Sequence, residues 1–456
     1  MIHRSFISAA MRHGLFVCGV FWCGTVMAVE PLPISSSYWK DPAFQKAFNG
    51  SYRIEARIEP SITGEQRAVL MEVQKLMAAE KRTDAIKALE SSALTKDSAA
   101  LTFNLANLQL ESGELEKAVA SYEAAIKGYP SFRRAHRNLG LALVRSEQTD
   151  KAITHLAEAV RLGDSEGLTY GLLGYCRLSK QEHASALQAY RLAQLTEPHV
   201  TEWSAGIAQC LQQLNQREEA VALLDEVIRK RPLESSYAVL KANIHLQLEQ
   251  PDKAAKTLEM AHRLGALAAD PMLQLAELHL IGGRAEEASQ VMATAFGLEQ
   301  KPGELAILRL FQVAVIQEQW PLAKNLIERV PEEGQSRTLR LAKARYLIES
   351  GEDVDAGVKL LKQLTTEDPT DGEALIAHAR QVASSGQPAA AELIYERAAA
   401  DSAWAFQAYD GLTRLRASQG RYQAALESLE KALLIQSDPH IEEYRKALQR
   451  TLEASR

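Results

Sequence analysis

Small, large apolar and polar positions return along this chain with a period of 34 residues. Steps of 34 from Ala118 land on Ala152, Ala186, Ala220, Ala254 and Ala288. One extra residue then enters, and the ladder resumes at Ala323, Gly357, Ala391 and Ala425. Four residues beyond each anchor stands a large apolar side chain: Tyr122, Leu156, Tyr190, Leu224, Leu258, Met292, Ile327, Leu361, Tyr395 and Leu429. Seven beyond it a small or medium one returns, as in Ala125, Ala159, Ala193 and Val227. Twelve residues before the anchor runs a column of small residues: Ala106, Gly140, Gly174, Ala208, Ala242, Ala276 and Ala379. Twelve after it, Pro130, Pro198, Pro232 and Pro369 close their repeats.

Offsets of four and seven place three side chains on one helical face. The pattern therefore predicts helix–turn–helix units. Small residues let the two antiparallel helices approach closely, and the large residue fills the space beside them. Proline ends the second helix, because it cannot continue one. Pro251 and Pro388, three residues before an anchor, mark a first helical position instead. One such unit cannot bury its own apolar face; stacking does so.

These columns resemble the tetratricopeptide repeat, as in Leu139-Gly140, Ala152, Leu156 and Ala159, or Leu173-Gly174, Ala186, Tyr190, Ala193 and Pro198. The resemblance covers residues 65–440 and implies an all-α, right-handed solenoid of ten to eleven repeats, with a concave groove lined by the first helix of each. A degenerate eleventh unit is expected around Ala85 and Leu89. Between 297 and 350 the pattern weakens, with Phe311 and Arg345 in the small-residue column and Pro331 cutting a helix short. That stretch is either a bend between sub-arrays 65–300 and 301–440 or drift within one array. The family pattern points to Phe103, Asn107, Arg134, Arg137, Leu141, Arg145, Tyr175, Gln209, Gln212, Gln213 and Asn243 as groove residues. Some members of the family grip a carboxylate with a Lys/Asn/Arg clamp. Only Asn107 fits it, and Phe103 stands where the lysine is expected, so that function does not carry over. An Arg-bearing, amide-rich groove suits an extended acidic or polar peptide.

The ends depart from the period. Residues 1–13 carry Arg4 and Arg12 with no acid, residues 14–27 are apolar, and Val26-Met27-Ala28 has small residues where a signal peptidase cuts. This predicts a signal peptide, residues 1–28, cleaved after Ala28, and an exported, periplasmic chain. Residues 29–64 form a leader, in which Tyr38, Trp39, Phe44, Phe48 and Tyr52 crowd together. They either cap the first repeat or dock another envelope protein, for which Tyr38, Trp39 and Phe44 are the candidates. At the other end, residues 441–456 put Ile441, Tyr444, Leu448 and Leu452 on one stripe, as a capping helix would. Within 456 residues, 24% are charged and the formal net charge is −6, with no basic stripe or tail. Nucleic acid is therefore not an expected partner, and no later stretch is apolar enough for a membrane helix.

Chemistry is sparse. Gly163-Asp164-Ser165-Glu166-Gly167 matches G-x-S-x-G, but a nucleophile elbow needs a strand before it, and the period places it in a turn between repeats. His136, His155, His183, His199, His245, His262, His279, His378 and His440 stand singly along the sequence. No catalytic, metal or cofactor site is expected, and the chain reads as a non-enzyme. Cys176 and Cys210 occupy equivalent positions of adjacent repeats. Stacked helices about 8–10 Å apart exceed disulfide reach, about 7 Å between Cα atoms, so two buried free thiols are expected, with a bridge as the alternative. The layout is similar to exported tetratricopeptide-repeat proteins of TonB-type energy transduction, exopolysaccharide secretion and outer-membrane assembly. It implies a scaffold that binds one or more envelope proteins through extended segments. A polysaccharide-binding component of exopolysaccharide or cell-wall export is the alternative.

Overall fold

The computed structural model describes residues 59–330, 335–436 and 439–454. The expected signal peptide with its Ala28 cleavage site, the leader aromatics Tyr38, Trp39 and Phe44, and Pro331 lie outside the described residues. Among those described there are 24 helices and no strand. They fall into two compact units that divide between Leu267 and Ala268.

The first unit begins with α1 (Gly64–Ala78), α2 (Arg82–Ser91) and the single turn α3 (Ala93–Lys96). Five regular pairs come next: α4 (Ala99–Glu111) with α5 (Leu115–Gly128), α6 (Arg133–Arg145) with α7 (Thr149–Arg161), α8 (Gly167–Ser179) with α9 (His183–Thr196), α10 (Thr201–Gln213) with α11 (Arg217–Lys230), and α12 (Ser235–Gln247) with α13 (Pro251–Arg263). The second unit holds α14 (Ala269–Ile281), α15 (Ala285–Gly297), α16 (Glu304–Ile316), α17 (Trp320–Glu328), α18 (Arg337–Glu349), α19 (Val354–Glu367), α20 (Gly372–Ser384), α21 (Pro388–Ala398), α22 (Ala405–Ser418), α23 (Tyr422–Ile435) and α24 (Pro439–Ala454).

The regular three-residue turn inside a repeat has one local solution. After α6, the Gln148 N–H donates to the Leu143 carbonyl at 2.9 Å, and Glu147 between them has φ 59°. After α8, α10 and α12 the same bond runs from Glu182, Gln216 and Gln250 to Arg177, Leu211 and His245. This six-to-one closure satisfies a carbonyl that the helix end leaves bare, and it needs one left-handed residue. Glycine fills that place at Gly113, Gly386 and Gly420; Glu147, Gln181, Asn215 and Glu249 accept it elsewhere.

Packing obeys the small–large columns. A Cβ at Gly140 would stand 2.5 Å from Cγ of Leu156, and one at Gly174 would stand 2.7 Å from Cγ of Tyr190. Tyr190 is also gripped from the next repeat, where a Cβ at Gly206 would lie 2.5 Å from its Cζ. The contacts join into a continuous core from Phe103 to Ile244. Ala85 and Leu89 are fully buried against α1 and α4, where the degenerate unit was expected. Each large residue buried this way contributes about 1.5–3 kcal/mol.

In the second unit the column shifts. Arg345 is not in the small-residue place: the turn Ser350–Asp353 is one residue longer than the usual three, so Ala344 takes it and is fully buried. Its carbonyl oxygen would stand 2.8 Å from a Cβ on Gly357. Phe311 does occupy the column, and its buried ring meets Tyr346 edge-on at 5.8 Å. At the C-terminal end, Ile441, Tyr444, Leu448 and Leu452 of α24 pack on Ala425, Leu426 and Leu429 of α23.

Cys176 and Cys210 are free and buried. Burial pushes both thiols up to about 12, which leaves them unreactive at neutral pH. The grip on Tyr190 gives the sharpest test of the packing. Gly206→Val should destabilise the first unit by about 3 kcal/mol, because the added methyls overlap a ring that has no room to move. Urea unfolding of the full chain measures this; an unchanged midpoint would mean the ring is not held.

Candidate functional site

In the first unit, α4, α6, α8, α10 and α12 carry every groove residue inferred from the sequence. The structure sorts them by depth. Phe103 and Leu141 are buried in the hydrophobic core. The Phe103 ring lies 4.7 Å from that of Phe132 and 5.8 Å from that of Tyr122, so it is packed within the core and is not an open platform. Asn107, Arg134, Arg137, Gln209 and Gln212 are also buried, Tyr175, Gln213 and Asn243 are half-buried, and Arg145 is exposed. Arg145 donates to the Leu110 carbonyl at 3.4 Å. The Gln212 side-chain oxygen is buried with no hydrogen-bond partner among the described residues.

The buried polar residues satisfy one another across three repeats. The Tyr122 hydroxyl donates to Asn107 Oδ1 at 2.6 Å, and Asn138 Nδ2 donates to the same atom at 2.9 Å. Arg137 Nε donates to Asn138 Oδ1 at 3.2 Å, and its Nη1 pairs with Glu166 and, at 3.8 Å, with Asp164. Asp164 accepts from the Glu166 N–H at 3.0 Å and the Thr169 hydroxyl at 3.2 Å. This explains the G-x-S-x-G match: Asp164 closes the turn between α7 and α8, Gly163 supplies its left-handed residue (φ 91°), and the Ser stands on no strand. Asn138, Asp164 and Glu166 are members that the columns alone did not pick out, because the pairing crosses repeats.

Arg134 is held differently. Its guanidinium is ion-paired with Glu59, the first described residue, and its Cζ stands 5.4 Å from the centroid of the Phe103 ring. Burial pushes the Glu59 carboxyl above its usual range, against the pull of Arg134, Arg133 and Arg137. Burial likewise lowers Arg134, against the pull of Glu59. Both shifts have one cause: the charges are taken from water, and the pair only partly compensates.

The second unit has a feature of its own. Arg345, Arg380 and Arg414 take equivalent positions on the first helices α18, α20 and α22 once the long turn is allowed for. Arg345 lies 3.5 Å from Glu373, and Arg414 lies 2.8 Å from Asp410. Counting in steps of 35 and then 34 would have found this row.

Two histidines that stand singly in sequence meet in space. His136 and His155 approach Nδ1 to Nδ1 at 3.0 Å, and His136 Nε2 lies 3.0 Å from the Pro130 carbonyl. The carbonyl can only accept, so Nε2 of His136 carries a proton; in the neutral ring Nδ1 is then the acceptor for the Nδ1–H of His155. Among the described residues, no group of three or more His, Cys, Asp or Glu is placed to hold a metal ion, and no helix is long and apolar enough to cross a membrane.

Stacked helix pairs recurring at a regular period define a helical repeat scaffold. Residues 70–244 carry tetratricopeptide repeats: models of the tetratricopeptide repeat match residues 70–131, 103–167, 137–198 and 177–244. Such repeats typically form non-catalytic scaffolds that bind peptides or proteins. No curated protein matches the sequence. Among solved structures, the chain is similar to YrrB, a TPR protein with an unusual peptide-binding site (25% identity, 40% of this chain and 90% of that one, TM-score 0.35). It is also similar to a tetratricopeptide repeat protein from Parabacteroides merdae (14%, 55% and 98%, TM-score 0.41) and to PilW, a type IV pilus biogenesis factor (18%, 44% and 92%, TM-score 0.38). At these TM-scores none of the three bears on what this chain binds.

His155 makes stability depend on pH. Burial and then His136 hold His155 below its ordinary 6.5. The unfolded chain therefore takes up a proton that the folded one resists, and stability is lost as pH falls below the unfolded value and on through the folded one. His155→Gln keeps a donor for His136 and should flatten the slope of unfolding free energy between about pH 7 and pH 5. Denaturant titrations across that range check it; parallel slopes would show that His155 does not carry the pH dependence.

Proposed function

We propose that this chain is an exported, non-catalytic scaffold of the cell envelope, serving a transport, TonB-type energy-transduction or secretion assembly. It takes its partner as an extended acidic or polar segment along the first-helix face of the first unit. The observation that carries this reading is the row of arginines and amides on α4 to α12, seated on close-packed helices whose other faces are consumed by stacking. Extended segments suit such a surface, because guanidinium groups can exchange their present carboxylate partners for those of a ligand, and the buried Gln212 oxygen can accept from a backbone N–H. Export rests on the basic, apolar and small-residue order of residues 1–28. Of the groove aromatics Phe103 and Tyr175, on which a sugar could stack, Phe103 is buried, so a peptide is favoured over a glycan.

Photo-crosslinking in cells tests this. A photoreactive residue at half-buried Tyr175 or Gln213 should capture one or two envelope proteins. The same residue at exposed Lys230, on the second helix α11, should not. Capture from Lys230 alone, or of nothing but this chain, would sink the groove reading.

A further inference from the structure

The segment before α1 is tied to the groove by Glu59, whose partner Arg134 lies 75 residues away in sequence. A carboxylate thus already sits on the residue that an acidic ligand would need. Around it are the Phe103 ring below the guanidinium and the further attraction of Arg133 and Arg137. We infer that Arg134, backed by Phe103 and flanked by Arg133 and Arg137, is a carboxylate-binding subsite, which Glu59 fills in cis and an acidic segment of a partner protein fills in its place. This inference rests on the groove reading proposed above and adds both the recognised group and its competitor.

The local structure lets Glu59 leave without unravelling α1. That helix is started by its own capping box: Thr63 Oγ1 accepts from the Gln66 N–H at 3.2 Å, and Gln66 Oε1 accepts from the Thr63 N–H at 3.1 Å. Those bonds fix the helix start independently of Glu59, so loss of the Glu59 contact does not cost the cap. Energetics favour exchange as well. A buried ion pair recovers little more than its own desolvation, and burial shifts both of its groups toward their neutral forms. A partner that delivers the same carboxylate with additional backbone hydrogen bonds has the advantage. Glu59 competes through its high effective concentration, being attached to the same chain.

The experiment is fluorescence anisotropy on the full chain with a labelled hexaglutamate peptide, and hexaglutamine as control. Glu59→Gln should bind hexaglutamate about tenfold more tightly than the wild type, as removal of one charged competitor would give. Hexaglutamine should be unaffected, and Arg134→Gln should lose hexaglutamate binding. Equal affinities in wild type and Glu59→Gln, binding by neither, or undiminished binding by Arg134→Gln would each overturn the inference. Should Arg134→Gln fail to fold, Glu59→Arg combined with Arg134→Glu keeps the contact with its poles exchanged. That chain should melt near the wild type and lose hexaglutamate; retained binding would overturn the subsite. Photo-crosslinking from Tyr175 in the Glu59→Gln chain separates the two readings. Capture of a partner with unmoved hexaglutamate affinity defeats only the Glu59 inference, whereas absence of capture defeats the groove itself.

Discussion

One contact sets the geometry of both units: a large side chain on a second helix, closed in by first helices that have nothing but hydrogen at the point of approach. Tyr190 shows it most fully, with Gly174 on its own repeat and Gly206 on the next. Leu156 against Gly140 and Tyr395 against Gly411 repeat it. Because the large residue is shared by two repeats, it fixes the distance within a helix pair and the register between pairs together. An added residue cannot be absorbed inside a helix without turning its face by about 100°. It has to go into a turn, and the long turn Ser350–Asp353 is where one went.

What remains of each first helix after this packing is a narrow face, drawn so close to its neighbours that even its polar side chains are largely out of water. Asn107, Asn138 and Arg137 are dehydrated by the same approach that buries Phe103 and Leu141. A neutral hydrogen bond nets about 1 kcal/mol, whereas an abandoned buried group costs about 1–3 kcal/mol. The chain from Tyr122 through Asn107, Asn138 and Arg137 to Asp164 is therefore worth more as a constraint than as glue. It is satisfied in one register of three consecutive repeats, and in an array where each repeat touches only its neighbours that register is passed along.

The period made most of this legible from sequence. Small, large and small positions mark helix faces, and prolines mark ends; both are local consequences of helical geometry that a single chain displays. The shift at Arg345 was misplaced because the ladder counts residues, while the packing counts positions along a helix, and a longer turn separates the two. The His136–His155 contact and the partners of Arg137 were invisible for a different reason. Spacing says which face a residue occupies, but which partner it finds there depends on side-chain reach across a repeat boundary. Glu59 is the extreme case, since nothing in a 34-residue period bears on a residue that precedes the first repeat.

The Glu59 contact changes what the groove arginines mean. From sequence they count as positive charge waiting for a negative partner. In the structure Arg134 faces Glu59, and Arg137 faces Asp164 and Glu166. In the second unit, Arg345 faces Glu373 and Arg414 faces Asp410. With a net charge of −6 over the whole chain, long-range attraction of acidic ligands is not what such a surface offers. Its recognition has to come from exchange, in which one carboxylate leaves a site already stripped of water and another enters. Exchange spares the incoming ligand most of the desolvation of the arginine, which is the largest cost of building a buried ion pair from solvent. Selectivity then depends on whether the newcomer reaches the position over Phe103 and brings more hydrogen bonds than the group it displaces, and far less on how much charge it carries.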